Sequence, residues 1–167
     1  MKNLLRFMFV LFTVVSSPKL YSQNVMINVL TKNSGIVKKD EIIFFEVKIS
    51  NTSPTASIPP YKLRPQISFP VTLVDVPTAG HILPKGWAII ANNKGVVLLT
   101  NGTDVIAENE NRTILIAMRG KAPGGPSSIL GNLTFSNGIA PGIAVGIALA
   151  GDNIADNAST STIRVVE

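Results

Sequence analysis

The densest group of oxygen-bearing side chains in this 167-residue sequence lies near its carboxyl end, within residues 151–157. Four of them, Asp152, Asn153, Asp156 and Asn157, carry the kind of oxygen that binds a hard cation such as calcium. Their spacing lacks the alternating ligands and the terminal glutamate of an EF-hand loop. Asp and Asn are also ordinary turn residues, whose side chains bond to the nearby backbone. The segment therefore predicts a structural turn before the last strand, with calcium binding as the alternative. We assign no metal site and expect no cofactor.

The single histidine, His81, is the candidate general base of the sequence. A catalytic triad needs a nucleophile and an orienting carboxylate beside the histidine, and the spacing of this sequence assigns neither. His81 falls in a turn region, residues 80–84, so we expect it to be a solvated loop residue. Cysteine is absent, which excludes a thiolate metal site, a cysteine nucleophile and a stabilising disulfide.

Carboxylates cluster at residues 40–41, 108–110 and 152–156, and two carboxylates that meet in a fold can hydrolyse a glycoside. Enzymes of that kind usually line their clefts with aromatic rings, whereas this sequence has one Trp, Trp87, and two Tyr. We expect Trp87 to fill the core, with a ligand platform as the alternative. The sequence thus predicts a protein without catalytic residues, and a secreted carbohydrate-binding or hydrolytic protein is an alternative.

The amino-terminal residues 1–22 have the three-part layout of a secretory signal. Lys2 and Arg6 precede an apolar run over residues 7–15, which is shorter than the roughly 20 residues that a membrane-spanning helix needs. A polar stretch follows, with cleavage expected before Gln23 or Asn24. We therefore expect an exported protein, located outside the cell, on its surface or in the periplasm. Much of the formal charge of +5 belongs to the signal, so no nucleic acid is expected as a partner.

Residues 23–167 alternate short β-branched or aromatic runs with Gly, Pro and Asn, and no stretch has a helical period. This pattern predicts one all-β domain, a β-sandwich of about seven to nine strands, with a small barrel as the alternative. Residues 92–95 predict a hairpin turn, and Pro70 predicts an edge position or a bulge. Residues 52–65 and 121–126 predict Pro-rich loops. The predicted strands are residues 25–31, 41–50, 66–76, 87–91, 96–100, 111–119, 129–136 and 160–166.

An apolar stretch with internal glycines occupies residues 139–151. It is too short for a membrane helix, so it predicts a buried strand. The alternative is an interface strand over residues 139–150 that pairs with another copy or another chain, because exposed apolar edges tend to pair.

Three motifs, taken in order, resemble a known family. A strand ends in Asn-Thr-Ser-Pro at residues 51–54, Leu-Pro-Lys-Gly-Trp follows at residues 83–87, and residues 152–162 form a polar run before the closing strand. This order is similar to the bacterial conserved-repeat surface domain known as the domain of unknown function eleven, over residues 25–166. The resemblance implies an immunoglobulin-like sandwich on the outside of a bacterial cell and no catalytic residues.

These observations together give a functional hypothesis. The protein is expected to be an exported bacterial surface or envelope module with a structural or adhesive role. Its partner would be an envelope protein or an extracellular polymer. The alternatives are a self-assembling subunit, a homo-oligomer that uses residues 139–150 as its interface, and the carbohydrate-binding or hydrolytic protein described above.

Overall fold

The computed structural model describes residues 23–136 and 149–167, and these residues form strands and two short turns of 3-10 helix. The 3-10 turns are Asn33–Gly35 and Ile154–Asp156. The strands are β1 (Val25–Thr31), β2 (Ile36–Lys38), β3 (Ile42–Asn51), β4 (Leu63–Ser68), β5 (Val74–Asp75), β6 (Ala88–Asn93), β7 (Val96–Thr100), β8 (Asn111–Gly120), β9 (Gly124–Phe135) and β10 (Ala158–Val166).

The strands belong to two sheets whose inner faces share one core. The first sheet has the order β1-β3-β8-β5, and all of its pairs are antiparallel. The second has the order β2-β10-β9-β4-β7-β6, in which only the short β2 runs parallel to its neighbour. The predicted sandwich is therefore confirmed, and the barrel alternative is wrong because the strands divide between two separate sheets.

Alternate residues of the long strands fill the space between the sheets, as the two-residue period of a strand requires. Phe45 is fully buried and packs edge to face against Phe69, with the ring centroids 5.4 Å apart. Trp87 is 7% exposed and belongs to the same core, as predicted from the sequence. The core is therefore continuous from β3 to the segment that precedes β6.

The predicted hairpin is confirmed at β6 and β7. The turn residues are Lys94 and Gly95, with φ of 48° and 76°, the left-handed conformation that tight hairpin turns need. The two asparagines before them end β6 rather than forming the turn.

The proline-rich segments differ from the prediction. Pro65 lies inside β4, opposite Leu133 of β9, rather than in a loop. The sheet tolerates it because the β7 pairing begins only at Gln66, so the missing N–H of Pro65 breaks no bond to β7. The predicted strand over residues 66–76 is interrupted, because Pro70 starts a turn in which its carbonyl accepts the N–H of Leu73. The predicted loop 121–126 was wrong in its second half, since β9 already begins at Gly124.

Serine side chains cover the open edge of β1. The outward N–H groups of Val29 and Thr31 donate to Ser159 Oγ and Ser161 Oγ of β10, over 3.1 and 3.2 Å. An uncovered edge strand would offer these groups to another chain. The two sheets are therefore joined along this side by hydrogen bonds from main chain to side chain.

Two predictions lie outside the described residues. The signal over residues 1–22 is one, and most of the apolar segment 139–150 is the other, although Leu149 at its end is buried in the core. Within the ranges that the structure describes, no helix is long and apolar enough to cross a membrane.

Candidate functional site

The polar residues near the carboxyl end form a turn that leads into β10. Asn153 caps the 3-10 turn, where its Oδ1 accepts the N–H of Ala155 at 3.3 Å. Asp152 Oδ1 accepts the N–H of Val25 at 3.0 Å, and Asp152 Oδ2 accepts a bond from Asn157 Nδ2 at 2.6 Å. The four residues singled out in the sequence are therefore brought together, and they attach the start of β1 to the start of β10.

Asn24 is a fifth member of this turn, and it was missed in the sequence because it lies far from the others along the chain. Its Oδ1 accepts the N–H of Asn153 at 2.8 Å. Its Nδ2 lies 2.6 Å from Thr52 Oγ1 and 3.4 Å from Asp156 Oδ2. The signal that could have found it is its place directly before β1, a position where a polar side chain can reach a neighbouring turn.

The Asn-Thr-Ser-Pro motif owes its structural role to Asn51. This side chain is 1% exposed, and its Nδ2 donates to the carbonyls of Ala56, Ile106 and Ala107 at 2.8–3.1 Å. Its Oδ1 accepts the N–H of Ser53 at 3.1 Å. One buried amide thus holds two loops at the same end of the sandwich.

A second buried asparagine, Asn101, plays the same part on the next loop. It is fully buried, accepts the N–H of Leu63 at 2.9 Å, and donates to the carbonyls of Pro59 and Asp104. This residue was not singled out from the sequence. The sequence feature that could have identified it is the turn-forming run Asn-Gly-Thr-Asp at residues 101–104.

Asp104 connects the Leu-Pro-Lys-Gly-Trp motif to β8. Its Oδ2 accepts the indole N–H of Trp87 at 2.7 Å and the Nε–H of Arg112 at 2.8 Å. The hydrogen bonds that Arg112 donates to Asp104, and then the one that it donates to Glu110, raise the pKa of Arg112 above its ordinary value, although partial burial opposes the shift. A pKa raised by folding stabilises the fold at every pH below the ordinary arginine pKa. Arg112 therefore stays protonated, and its bonds to Asp104 stay charge-assisted, throughout the neutral pH range.

We expect Asp104→Ala to lower the free energy of unfolding by about 2–3 kcal/mol, because the substitution leaves the Trp87 N–H without its acceptor and removes two of the hydrogen bonds of the Arg112 guanidinium. Urea unfolding of the purified protein measures this. Asp75→Ala is the matched control, because Asp75 is an exposed aspartate on β5, and it should change stability by less than about 0.5 kcal/mol. Equal changes in the free energy of unfolding for the two substitutions would show that the hydrogen bonds of Asp104 do not stabilise the fold.

His81 differs from the expected solvated residue. It is half-buried, its Nδ1 accepts the N–H of Ala117 at 3.1 Å, and its Nε2 lies 2.9 Å from the carbonyl of Pro77. The ring thus bridges its own loop to β8. The next residue, Ile82, pairs with Leu115 as an isolated bridge, so the backbone here follows the sheet edge and carries the imidazole inward.

The other acidic clusters also serve local turns. Glu41 Oε2 accepts the N–H of Lys38 at 3.0 Å, and Glu110 Oε2 accepts the N–H of Ala107 at 3.3 Å. A groove of about 260 Å³ lies between β5 and the β6–β7 hairpin, and Asp75 is the one carboxylate among its lining residues. This groove therefore lacks the carboxylate pair of a glycosidase. In the part of the chain described, no three His, Asp or Glu side chains gather as metal ligands do.

Comparison with solved structures places this architecture among known folds. The CARDB domain of the PF1109 protein from Pyrococcus furiosus, determined in complex with di-metal ions, matches with a TM-score of 0.51 and 11% identity, over 90% of this chain and 95% of that one. A chain from a complex of a CaDoc0917 variant with CaCohA2 matches with a TM-score of 0.51 and 15% identity, over 86% of this chain and 100% of that one. The fold is an immunoglobulin-like β-sandwich. A cohesin module from a Clostridium perfringens family 33 glycoside hydrolase is also similar, with a TM-score of 0.49 and 9% identity, over 87% of this chain and 97% of that one.

No protein-family model matches the chain, and no curated protein matches it. The fold implied by the resemblance to the domain of unknown function eleven is confirmed, whereas membership of that family stays a prediction. At these identities the structural neighbours show the fold alone.

Proposed function

We propose that the protein is an exported, non-catalytic binding module of the bacterial envelope or cell surface that contacts another protein through the outer face of its four-stranded sheet. The observation that carries the proposal is that the polar side chains of the sequence motifs form hydrogen bonds within the domain and not toward solvent. Asn51, Asn101 and Asp104 bond to loops and to a strand of the sandwich itself. What the module offers to a partner is then its exposed sheet surface.

The outer face of the four-stranded sheet carries a row of side chains in register. Leu30 of β1 lies opposite Glu46 of β3, Glu46 lies opposite Leu115 of β8, and Leu115 pairs with Ile82. Leu30 is 43% exposed and Ile82 is 54% exposed. Exposed apolar side chains flanked by polar ones resemble the apolar core and the polar rim of a protein–protein interface.

The chemistry of the exposed apolar residues favours a protein partner over a sugar polymer. Sugar rings stack on exposed aromatic rings, whereas the large apolar side chains that are exposed in the described residues are all Leu, Ile or Val. Ile42, which is 53% exposed, lies opposite Arg119 on the same sheet. One of the proteins that share the fold was determined as a complex of CaDoc0917 with CaCohA2, and we propose that the present chain likewise acts by contact with a protein.

Export is tested by fusing residues 1–31 to alkaline phosphatase, which is active only outside the cytoplasm, so that the fusion contains the expected cleavage position. We expect phosphatase activity from the fusion and a shortened product whose amino terminus is Gln23 or Asn24, because the segment has the layout of a cleaved signal. Replacing Leu11 and Val14 with aspartate should abolish both results by breaking the apolar run. An inactive, uncleaved wild-type fusion would contradict export.

Binding is tested by capture from envelope extracts on the immobilised protein. The double variant Leu30→Ser/Ile82→Ser should lose the captured protein while its thermal unfolding stays close to that of the wild type, since both side chains are exposed. Leu130→Ser is the matched control, because Leu130 is 44% exposed but lies on β9 of the other sheet. Capture that depends on Leu130 rather than on Leu30 and Ile82 would contradict the proposed face.

A further inference from the structure

We propose that His81 is a positioning residue, which holds Ile82 on the outer face of the four-stranded sheet only while its imidazole ring is neutral. Mild acid would then loosen this part of the face. The inference rests on the proposed function for its effect on binding, whereas the attachment of Ile82 can be measured without any partner. Three features carry it: the sheet edge that the ring completes, the protonation state that its hydrogen bonds require, and the charges around it.

The first feature is the edge of β8. The end of this strand pairs with β5, and further along the edge Ile82 exchanges two main-chain hydrogen bonds of 2.9 Å with Leu115. Ala117 lies two residues beyond Leu115, so its N–H points to the same side of the strand. This N–H donates to His81 Nδ1 at 3.1 Å instead of to a main-chain carbonyl. The imidazole therefore takes the place of a main-chain acceptor that the edge would otherwise lack.

The second feature is the protonation state of the ring. A main-chain N–H only donates, so His81 Nδ1 must accept from Ala117 and carries no hydrogen. The proton of the neutral ring is then on Nε2, which donates to the carbonyl of Pro77 at 2.9 Å. A second proton would place an N–H on Nδ1 against the N–H of Ala117, and their hydrogen bond would be lost. Both ring nitrogens are thus satisfied only in the neutral state.

The third feature is the set of charges around the ring. The charged side chains on the surrounding elements are Glu46 of β3, Asp75 of β5, Lys85 of the same loop, Lys94 of the β6–β7 turn, Arg119 of β8, and Lys121 after β8. Four of them are cations and two are carboxylates, so no excess of negative charge surrounds the ring. Within the described residues, His81 forms no ion pair with either carboxylate. A protonated ring therefore gains no partner in exchange for the bond that it loses.

The position of Ile82 depends on this bond because Ile82 is the next residue in the chain. The loop that leads to it has another anchor at its start, where Asn92 Nδ2 donates to the carbonyl of Pro77 at 3.0 Å. At the other end of the loop, only the two bonds between Ile82 and Leu115 support the bond of His81. When the ring is protonated, these two bonds should open more often, and Ile82 should leave its place in the row of exposed apolar side chains.

Amide hydrogen exchange, followed by NMR at about pH 7.5 and about pH 5, tests the attachment directly. The sample is the purified protein without an affinity tag, in which His81 is the single histidine. The protection of the Ala117 and Leu115 amides, corrected for intrinsic exchange, should fall by about tenfold at the lower pH, because a hydrogen bond of the edge is lost. Carboxylates stay mostly ionised there. The amide of Val47, on the central strand β3, is the internal control and should keep its protection.

Two variants separate the proton from the shape of the side chain. His81→Asn places an oxygen acceptor where Nδ1 lies but does not titrate, so the Ala117 amide should stay protected at both pH values. His81→Phe keeps a ring without an acceptor, so this amide should be poorly protected at both. Unchanged wild-type protection between the two pH values would overturn the proposal. So would the same pH dependence in His81→Asn, or a ring that carries its proton on Nδ1 at pH 7.5.

The effect on binding is tested by capture from envelope extracts at the same two pH values. The wild type should lose the captured protein at the lower pH, and His81→Asn should retain it. Equal capture by the wild type at both pH values would overturn the link between His81 and the binding face. An absence of capture at either pH would contradict the proposed function instead, and the exchange measurements would still decide whether His81 positions Ile82.

Discussion

Replacing Asn51 with alanine should lower the free energy of unfolding by about 3–4 kcal/mol, one of the two largest effects that we expect from a single substitution in this chain. The side chain is 1% exposed and bonds to four backbone groups, the carbonyls of residues 56, 106 and 107 and the N–H of residue 53. Removing it breaks all four bonds and leaves a cavity at a buried position, although the carbonyls of residues 106 and 107 each keep one backbone hydrogen bond, from the N–H groups of residues 58 and 110. Urea unfolding followed by tryptophan fluorescence measures the loss, since Trp87 is the single tryptophan.

Two further variants separate the hydrogen bonds of Asn51 from its volume. Asn51→Asp keeps the shape of the side chain but turns a carboxylate toward carbonyl oxygens, so it should be at least as destabilising as alanine. Asn132→Ala, at an exposed position of β9, should change stability by less than about 0.5 kcal/mol. If Asn51→Asp were well tolerated, the amide donors would not be what holds the two loops.

Gly102→Ala should cost about 3 kcal/mol for a different reason. Gly102 has a φ of 45°, and a Cβ built there would lie 2.0 Å from the carbonyl oxygen of Gly86. Both the left-handed backbone and this backbone contact disfavour any side chain. The Asn-Gly-Thr-Asp loop and the Leu-Pro-Lys-Gly-Trp motif would then move apart, carrying Asp104 away from Trp87. The loss of the indole hydrogen bond should appear as a change in tryptophan fluorescence.

Gly80→Ala provides the control for backbone conformation. Gly80 has a φ of 90°, but a Cβ there would meet nothing nearer than the Cβ of Ala117 at 3.7 Å, an ordinary contact. This variant should therefore cost only about 1–2 kcal/mol, the penalty of the left-handed backbone. The additional loss of stability in Gly102→Ala, compared with Gly80→Ala, measures the contact with Gly86. Equal losses of stability in the two variants would show that the loop at Gly102 moves away from Gly86 without a free-energy cost.

The predicted strands succeeded where local pattern decides the structure. β7 was predicted at its observed bounds, and β1 and the β6–β7 hairpin followed from β-branched runs and one turn signal. The prolines were harder to interpret. Pro65 was assigned to a loop, yet it lies in β4. A strand tolerates proline where no neighbouring strand needs the missing N–H, and the pairing with β7 begins only at the next residue. Which strands pair depends on the topology of the whole domain, and a short stretch of sequence does not contain that information.

The polar motifs were readable only in part. The Asn-Thr-Ser-Pro and Asp/Asn-rich motifs resemble those of a family in their order, and the immunoglobulin-like sandwich that this resemblance implied is confirmed. Their roles were not readable, because Asn51 acts on carbonyls of residues 106 and 107, and Asp152 acts on Val25. His81 was expected in solvent for a similar reason, since its partner is the N–H of Ala117 on another strand.

The sequence by itself determined the all-β class, most strands, the hairpin and the absence of cysteine chemistry, because these depend on residue type and on a two-residue period. Only the tertiary structure decided which polar side chains are buried and what they hold. It gathered Asn24, Asp152, Asp156 and Asn157 at one turn, where two oxygens lack hydrogen-bond partners. Hydrogen bonds and uncompensated charges depend on distances of a few ångströms between residues that are far apart in the chain, and folding alone sets those distances.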